Sequence, residues 1–403
     1  MMDAIHSLAE RVRNLKPSPT LAIDAKAKAL KAGGADVINL SVGEPDFDTP
    51  EHIKDAAVRA IRDGFTKYTA VGGIAELKNA IIGKLKSDYG LDYRPEEVMV
   101  STGGKQVLYN IAQAMLDPGD EVILPAPYWV SYPAIVELAG GVVKCLPSDP
   151  KKAFALDVGA IGSMITSRTK AIILNSPSNP TGAVYGSDDL TAVAELAMKR
   201  NLTIITDDIY DSIRFDDKRP ENVASLMPEA KGNTLVVNGV SKTYAMTGWR
   251  IGYLAGPEAV VKAATKIQSQ STSNPNAIAQ KAALAALTGP QDCVRKMAAV
   301  FKERRDFVMA RLGAMPGVEC VNPNGAFYVF PDLSSYYDME IDGRKIDGSL
   351  ALADYLLDKA RVAAVPGIAF GDDRFIRFSY AADIKTLKEG MDRLEAALNA
   401  LKG

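Results

Sequence analysis

The chain has 403 residues, of which 47% are hydrophobic and 24% are charged, and its formal net charge is −2. This length predicts two or three domains, because one domain usually holds about 100–200 residues. The near-neutral charge excludes the basic field that binding to nucleic acids or anionic membranes requires. The sequence lacks both a secretory apolar core and an uncharged run of the ~20 residues that cross a bilayer, so we expect a cytoplasmic protein.

Cysteine and histidine are scarce, and their positions exclude several kinds of chemistry. Cys145, Cys293 and Cys320 have no CxxC spacing, which is typical of reduced thiols in the cytosol. His6 and His52 are the only histidines, and neither belongs to a recognisable site. We therefore expect no metal centre and no Ser-His-Asp triad.

The middle of the chain alternates short apolar runs with helical patterns such as KQVLYNIAQAML. Seven runs have the composition of strands: EVMVST, EVILPA, GVVKCLP, KAIILNS, LTIITDD, TLVVNG and RIGYLAG. This alternation predicts an α/β fold with a mostly parallel sheet that helices cover on both faces.

The pattern changes near residue 295, where a long charged helix leads into AFYVFPDL, RFIRFSYA and a final helix. These elements predict a smaller α+β domain over 295–403. The large α/β domain is expected over 49–294. The N-terminal segment, 1–48, is expected to pack on the small domain.

Polar and aromatic residues follow five of the predicted strands. Open parallel sheets bind ligands beyond the carboxyl ends of their strands, so we expect one site at this edge. The segments concerned are Thr102 to Lys105, Tyr128 and Trp129, Asn175 to Gly182, Asp207 to Tyr210, and Ser241 with Lys242.

The stretch NGVSKTYAMTGWRIGY, residues 238–253, is the most informative part of the chain. A lone lysine after a strand is usually solvated, but Lys242 is followed eight residues later by Arg250. A lysine in this setting can form a Schiff base with a carbonyl cofactor. An arginine can hold a phosphate with a bidentate fork. The pair predicts pyridoxal 5'-phosphate (PLP), an aldehyde that carries a phosphate arm.

Asp207 follows the apolar run LTIIT and should be buried, which is costly without a cationic partner. A protonated pyridine nitrogen would suit it and would let the ring accept electrons. A helix N-cap is the alternative, and position alone does not choose between Asp207 and Asp208. Asn179 and Tyr210 could donate to a phenolic ring oxygen, although a turn-rich loop also explains NSPSNPTG.

Further positions suit the two ends of such a cofactor. The pair Gly103 and Gly104 opens a helix, whose free N–H groups favour a phosphate. Trp129 could stack on a planar ring or belong to the core. Arg377 shares one face of a predicted strand with Phe375, so it needs an anion if it is buried. A substrate α-carboxylate or a structural salt bridge would meet that need.

Together these motifs resemble the class I aminotransferase family of fold type I PLP enzymes. The resemblance implies a seven-stranded sheet and, within the family, a likeness to the bacterial subgroup Ib aspartate aminotransferases, some of which also use prephenate. It runs through nearly the whole chain: LSVGEPDFDTP, KYTAVGGIAELKNAI, STGGKQ, PAPYWVSYP, NSPSNPTGAVY, TDDIY, NGVSKTYAMTGWRIGY, GAFYVFPDL and FIRFSYA.

The resemblance implies a role for each matching position. Lys242 would form the Schiff base and carry the proton. Asp207, rather than Asp208, would pair with the ring nitrogen, while Asn179 and Tyr210 would contact the ring oxygen. Around the phosphate the implied set is Gly103, Gly104, Ser241 and Arg250, and Lys105 is also expected to contact the cofactor.

The remaining implied roles concern the ring, the neighbouring subunit and the substrate. Trp129 would stack on the ring, and Tyr68 would reach the phosphate of a neighbouring subunit, so a homodimer is expected. Gly43 and Arg377 would hold the α-carboxylate, with Trp129 and Asn179 also touching the substrate. Gly239 stands where many relatives have a serine, which implies one phosphate donor fewer.

Substrate choice is implied by three positions. Lys105 would face the distal carboxylate of a dicarboxylic substrate, unless it is only a charge on a helix surface. Lys16 and Thr20 match positions that line the same pocket and bear on the use of prephenate.

The expected reaction is ping-pong transfer of the amino group from L-aspartate to 2-oxoglutarate, which gives oxaloacetate and L-glutamate. The alternatives are an aminotransferase of aromatic or alanine-type specificity, a PLP-dependent C–S lyase, and a PLP-binding regulator. The regulator is disfavoured because the chain has no spare basic segment for a DNA-binding module.

Overall fold

A computed structural model describes residues 8–15, 19–216, 218–341 and 343–402. The helices are α1 Glu10–Asn14, α2 Pro19–Ala32, α3 Glu51–Arg62, α4 Ala75–Tyr89, α5 Gly104–Met115, α6 Ser131–Leu138, α7 Val158–Met164, α8 Ser187–Arg200, α9 Val223–Leu226, α10 Glu258–Ser271, α11 Ala277–Thr288, α12 Asp292–Gly313, α13 Ser349–Tyr355 and α14 Ile384–Lys402. The strands are β1 Ile38–Asn39, β2 Val98–Ser101, β3 Glu121–Ala126, β4 Val142–Pro147, β5 Thr169–Asn175, β6 Thr203–Asp207, β7 Thr234–Gly239, β8 Gly252–Ala255, β9 Tyr328–Val329, β10 Glu340–Ile341, β11 Arg344–Lys345, β12 Val362–Ala363, β13 Val365–Pro366 and β14 Ile376–Ser379.

The seven predicted strands form one sheet in the order β2-β8-β7-β6-β5-β3-β4. Strand β8 runs antiparallel to both of its neighbours, and the other pairs are parallel. The prediction of a mostly parallel seven-stranded sheet is therefore confirmed.

Helices cover both faces of this sheet, which explains why its strands read as continuous apolar runs. Every residue of β7 is buried. Because side chains alternate along a strand, Val236 packs in the core under α4 and α11, whereas Leu235 and Val237 pack in the core under α5 and α10.

The carboxyl ends of the central strands are level with one another. In the parallel register Asn175 of β5 lies opposite Asp207 of β6, and Asp207 lies opposite Val237 of β7. The turns that follow these strands therefore meet at one edge of the sheet, which fixes where the polar side chains of the site can gather.

The C-terminal part contains a second sheet, antiparallel and in the order β13-β14-β9, and residues of β9 and β14 share an apolar core with α12 and α14. The N-terminal strand β1 pairs in parallel with β12, and helix α2 contacts β12 and β13. Ile38 and Leu40 belong to the same apolar core as Leu394 of α14. These contacts bring residues near the start of the chain against its last third.

The described ranges contain neither a membrane-spanning helix nor a cluster of metal-binding side chains. None of the helices there combines the length and apolarity that crossing a membrane requires. Nor do His, Cys, Asp and Glu side chains within those ranges gather in a group of three that could bind a metal ion.

Candidate functional site

A cavity of about 290 Å³ opens at the carboxyl edge of the large sheet, where the C-terminal sheet approaches it. Most of the residues that the sequence predicted for the site line this cavity. They are Thr20, Gly43, Gly104, Lys105, Trp129, Asn179, Asp207, Tyr210, Ser241, Lys242, Arg250 and Arg377.

Three predicted residues are not among those lining the cavity. Gly103 lies directly behind it, where a Cβ would come within 2.5 Å of Arg250 Nη2, and its φ of +89° also favours glycine. Tyr68 is 90% exposed and borders a separate surface depression. Lys16 lies outside the described residues.

Lys242 lies at the floor of the cavity, in the turn that follows β7. Its Nζ donates a hydrogen bond to the backbone oxygen of Gly43 at 2.6 Å. Burial lowers the pKa of Lys242 to about 8, with Glu44 acting in the opposite direction and Arg250 adding to the decrease. A lysine amine that is partly neutral near pH 8 can act as a nucleophile and as a base.

Asp207 ends β6 and faces the same cavity. Its carboxylate accepts a hydrogen bond from Tyr132 Oη at 2.7 Å and a weaker one from the backbone N–H of Ile209 at 3.4 Å. Burial raises the pKa of Asp207 to about 6, against the opposing effect of the Tyr132 bond. Within the described ranges no lysine or arginine forms an ion pair with it, so a cation from outside the chain would have a partner here.

Asp208 occupies a different environment, although it is the next residue. Its carboxylate accepts hydrogen bonds from Asn222 Nδ2 at 2.7 Å and Thr206 Oγ1 at 3.3 Å. Asp208 does not line the cavity. Strand alternation therefore points the two neighbouring carboxylates to different places.

One end of the cavity is positive. Helix α5 begins there at Gly104, so its N-terminal N–H groups and its dipole favour an anion. Ser241 and Arg250 border the same end, and Arg250 Nη1 donates to Thr247 O at 2.8 Å. Lys105 Nζ lies 5.0 Å from the centre of the Trp129 ring. Partial burial and the charge of Arg250 lower the pKa of Lys105.

Arg377 occupies the opposite wall, on β14. Only 3% of it is exposed. Its Nη1 donates to Asn179 Oδ1 at 2.9 Å and its Nη2 to Ser41 O at 2.6 Å, while its Nε has no partner in the described structure. None of the ion pairs found in the described ranges includes Arg377, so the alternative of a structural salt bridge finds no support there. A buried guanidinium without a carboxylate is suited to an incoming one.

Three polar residues that line the cavity were given no role from the sequence: Tyr132, Asn175 and Tyr328. Tyr132 holds the Asp207 carboxylate, and Tyr328 places its hydroxyl 2.8 Å from that of Tyr210. Asn175 Nδ2 donates to Asp207 O at 2.7 Å, and its Oδ1 accepts from Asn179 N at 2.8 Å. Local signals existed, because Tyr132 lies in the PAPYWVSYP motif and Asn175 begins the NSPSNPTG motif.

Comparison with known proteins identifies the family of this chain. The family model described as "Aminotransferase class I and II" matches residues 35–394. The aspartate/prephenate aminotransferase of Nitrosomonas europaea is 48% identical over 395 residues, which is 97% of this chain and 100% of that protein. The aspartate aminotransferase of Geobacillus stearothermophilus is 47% identical, with 98% of this chain and 99% of that protein covered.

Solved structures agree with the sequence relatives. The aspartate aminotransferase of Rhizobium meliloti has a TM-score of 0.94 at 44% identity, covering 98% of this chain and 99% of that one. The Thermus thermophilus enzyme with maleate has a TM-score of 0.91 at 43% identity, covering 97% and 99%. Similarity of this extent and over this length leaves one assignment: the chain is a member of the class I and II aminotransferase family.

Proposed function

We propose that this chain is a PLP-dependent aspartate aminotransferase that converts L-aspartate and 2-oxoglutarate to oxaloacetate and L-glutamate. One observation carries the proposal. Lys242, with its lowered pKa, and the buried Asp207 line one cavity with Arg250 and Arg377. In the described ranges, Asp207 forms no ion pair with a lysine or arginine and Arg377 forms none with a carboxylate. The names of the relatives support the same activity.

The donors around the cavity fit PLP. Lys242 would hold it covalently, Asp207 would pair with the ring nitrogen, and Asn179 and Tyr210 would donate to the ring oxygen. The phosphate would rest on the start of α5 with Ser241 and Arg250; Gly103 leaves room for the Arg250 guanidinium, because a Cβ there would collide with it. When bound, PLP supplies a reactive carbonyl and a ring that can accept an electron pair.

Lys242 would move the proton in the reaction. The neutral amine of Lys242 would take the proton from the α-carbon of the substrate and hold it on Nζ. The Gly43 carbonyl, which accepts from Nζ at 2.6 Å, keeps the amine at the floor of the cavity. The ionised form of Asp207 would keep the ring nitrogen protonated, since a carboxylate beside it favours the charged ring.

Two cationic side chains would select a dicarboxylic substrate. Arg377, together with the backbone at Gly43, would hold the α-carboxylate, and Lys105 would attract the distal one across the Trp129 ring. The maleate in the Thermus thermophilus structure is a dicarboxylate, which agrees with this division. Thr20 Oγ1 is buried and has no hydrogen-bond partner among the described residues, so it would be available to a larger substrate such as prephenate.

The active unit would be a homodimer. Tyr68 is 90% exposed and lies outside its own cavity, as expected of a side chain that completes the phosphate site of a second subunit. Ile61, on the nearby helix α3, is also a largely exposed apolar side chain. The protein should therefore run as a dimer in sedimentation, and a Tyr68→Phe change should weaken PLP binding without preventing dimerisation.

The division into a segment over 1–48 and domains over 49–294 and 295–403 is part of the same proposal. Its support is the pairing of β1 with β12 and the second sheet formed by β9, β13 and β14.

The decisive experiment has two parts: chemical trapping of the bound cofactor and an activity assay with a panel of substrates. Borohydride reduction of the purified protein with PLP should add the reduced cofactor to Lys242, as located by peptide mass spectrometry. A panel of amino donors and oxo acids should then rank aspartate and 2-oxoglutarate first. No adduct at Lys242 would defeat the proposal, and release of pyruvate from cysteine conjugates without amino transfer would favour a lyase.

A further inference from the structure

Tyr328, on β9, contacts three residues to which the proposed function gives roles. Its hydroxyl lies 2.8 Å from the hydroxyl of Tyr210. A Cβ added to Gly43 would lie 2.9 Å from the same hydroxyl, so Tyr328 occupies the space beside that glycine. The guanidinium carbon of Arg377 lies 4.5 Å from the centre of the Tyr328 ring. The ring itself is fully buried.

Counting protons assigns a direction to the bond between the two tyrosines. A tyrosine hydroxyl has one proton to donate and can accept through its lone pairs. If Tyr210 donates its proton to the cofactor ring oxygen, the proton between the two hydroxyls must come from Tyr328. A hydroxyl that accepts a hydrogen bond becomes a stronger donor itself, so Tyr328 would strengthen the bond that Tyr210 makes.

The arginine above the ring makes Tyr328 suited to donating. A cation over a phenol stabilises the negative charge that develops on its oxygen when it donates. Burial raises the pKa of Tyr328, and both Arg377 and the bond to Tyr210 act against that rise. The pKa of Tyr210 is instead raised well above its usual range, by burial first and by Tyr328 second. The distance allows either hydroxyl to donate, so the direction of the bond follows from the proton count.

We propose that Tyr328 is a positioning residue, which orients the Tyr210 hydroxyl and strengthens it as a donor to the cofactor ring oxygen. The inference rests on the proposed function, because it presupposes a ring oxygen in front of Tyr210. It predicts a measurable property of the nitrogen that joins Lys242 to the cofactor. The weaker the hydrogen bond to the ring oxygen, the more tightly that nitrogen keeps its proton.

The test is the pH midpoint of the visible absorbance change of the PLP-loaded protein, measured in the wild type and in Tyr328→Phe. Loss of one hydrogen bond should raise the midpoint by about 0.3–1 pH unit. The KM for aspartate should change less than about threefold, because Arg377 keeps its bonds to Asn179 and Ser41.

Tyr336→Phe is the matched control. Tyr336 is equally buried, and its hydroxyl donates to Pro316 O at 2.6 Å, away from the cavity. Both variants lose one buried hydrogen bond and should lose similar stability, but the midpoint of Tyr336→Phe should equal that of the wild type. A second control is the Tyr210→Phe, Tyr328→Phe double variant, whose midpoint should match that of Tyr210→Phe alone.

Two outcomes would overturn the proposal: an unchanged midpoint in Tyr328→Phe, or additive shifts in the double variant. If Tyr328→Phe does not fold, incorporation of 3-fluorotyrosine at position 328 keeps the shape and makes the hydroxyl more acidic. That change should lower the midpoint, and no decrease would refute the role of Tyr328. A wild type without any pH-dependent cofactor band would instead refute the proposed function itself, together with this inference.

Discussion

Two buried polar clusters lie near the end of β6, and they differ in how far their charges are matched. In the cluster away from the cavity, Asp211 Oδ2 accepts from Tyr89 Oη at 2.9 Å and from Asn238 Nδ2 at 2.8 Å, and it lies 3.7 Å from Lys84 Nζ. In the cavity, Asp207 has one phenol and one weak backbone donor. A buried charge that is paired within the protein stabilises the structure, whereas a buried charge left unpaired is suited to binding a ligand of opposite charge.

Two lysines show the same contrast in their pKa values. Burial disfavours the charged form of both. For Lys84 the attraction of Asp211 and Asp88 outweighs burial, so its pKa is raised well above its usual range. For Lys242, which faces the cavity without an ion pair in the described ranges, burial prevails and the pKa falls to about 8. The charges around a buried lysine, more than the extent of its burial, therefore decide whether it is structural or reactive.

The largest effects on turnover and on stability are expected when the two lysines are replaced. Lys242→Ala should lower turnover by more than ~10⁴-fold, because it removes both the covalent anchor and the base. Lys84→Met should leave Asp211 without its cation and lower the free energy of unfolding by roughly 3–5 kcal/mol. Steady-state kinetics and urea denaturation of both variants check this division. A large kinetic loss in correctly folded Lys84→Met would contradict it.

The second comparison pairs two aspartates. Asp207→Asn should lower turnover by roughly 10²–10³-fold, because the ring nitrogen loses its counter-charge. Asp211→Asn should act chiefly on stability. Measurement of kcat together with the denaturation midpoint separates the two, and equal kinetic losses would remove the distinction between the clusters.

Asp207 should also make the stability of the cofactor-free protein depend on pH. Its pKa is raised to about 6 in the folded state, so folding disfavours its ionisation. The free energy of unfolding should therefore fall by roughly 3 kcal/mol as pH rises from about 4 through 6. In Asp207→Asn this part of the decline should vanish, which denaturation at several pH values would show. A decline of the same size in Asp207→Asn would contradict the assignment.

Arg377→Lys tests the carboxylate-binding wall with a smaller expected effect. Lysine keeps the charge and loses the planar fork, so the KM for aspartate should rise by roughly 10–100-fold. Arg374→Lys, three residues earlier and exposed in an ion pair with Asp372, is the matched control and should be kinetically silent. Equal KM values in the two variants would show that burial of Arg377 has no bearing on the substrate.

Lys105→Ala should have the smallest effect. The preference for aspartate over alanine should fall by about 3–10-fold, because a flexible ammonium without a planar fork discriminates weakly. Competition between the two donors measures this ratio directly. An unchanged ratio would mean that Lys105 is only a charge on the surface of α5.

The sequence was sufficient for the elements whose signal is local. The seven strands are apolar runs between polar turns. Asp207 and Lys242 lie where two such runs end, and Arg250 lies where another begins. Because Arg377 shares a strand face with Phe375, the pattern also indicated that Arg377 needs an anion if it is buried. The roles of these residues, the dimer and the domain boundaries stay predictions until they are tested in solution.

What escaped prediction depends on contacts between distant segments. Tyr328 reads as one aromatic residue among several in AFYVF, and its role follows only from the approach of β9 to Tyr210, 118 residues earlier. Tyr132 equally suits a core position on an amphipathic helix. The different environments of Asp207 and Asp208 required the partners of each carboxylate, which no spacing rule supplies.

The order of the cavity residues along the chain bears on how the protein is made. The positions proposed to hold PLP within one subunit all precede residue 256, whereas Tyr328 and Arg377 come much later and bond to groups contributed early, Tyr210 and Ser41. Because domains tend to fold in the order of their synthesis, a ribosome-bound nascent polypeptide would first complete the part that is proposed to bind PLP. It would gain the ability to recognise an amino acid only when its final segments emerge from the exit tunnel.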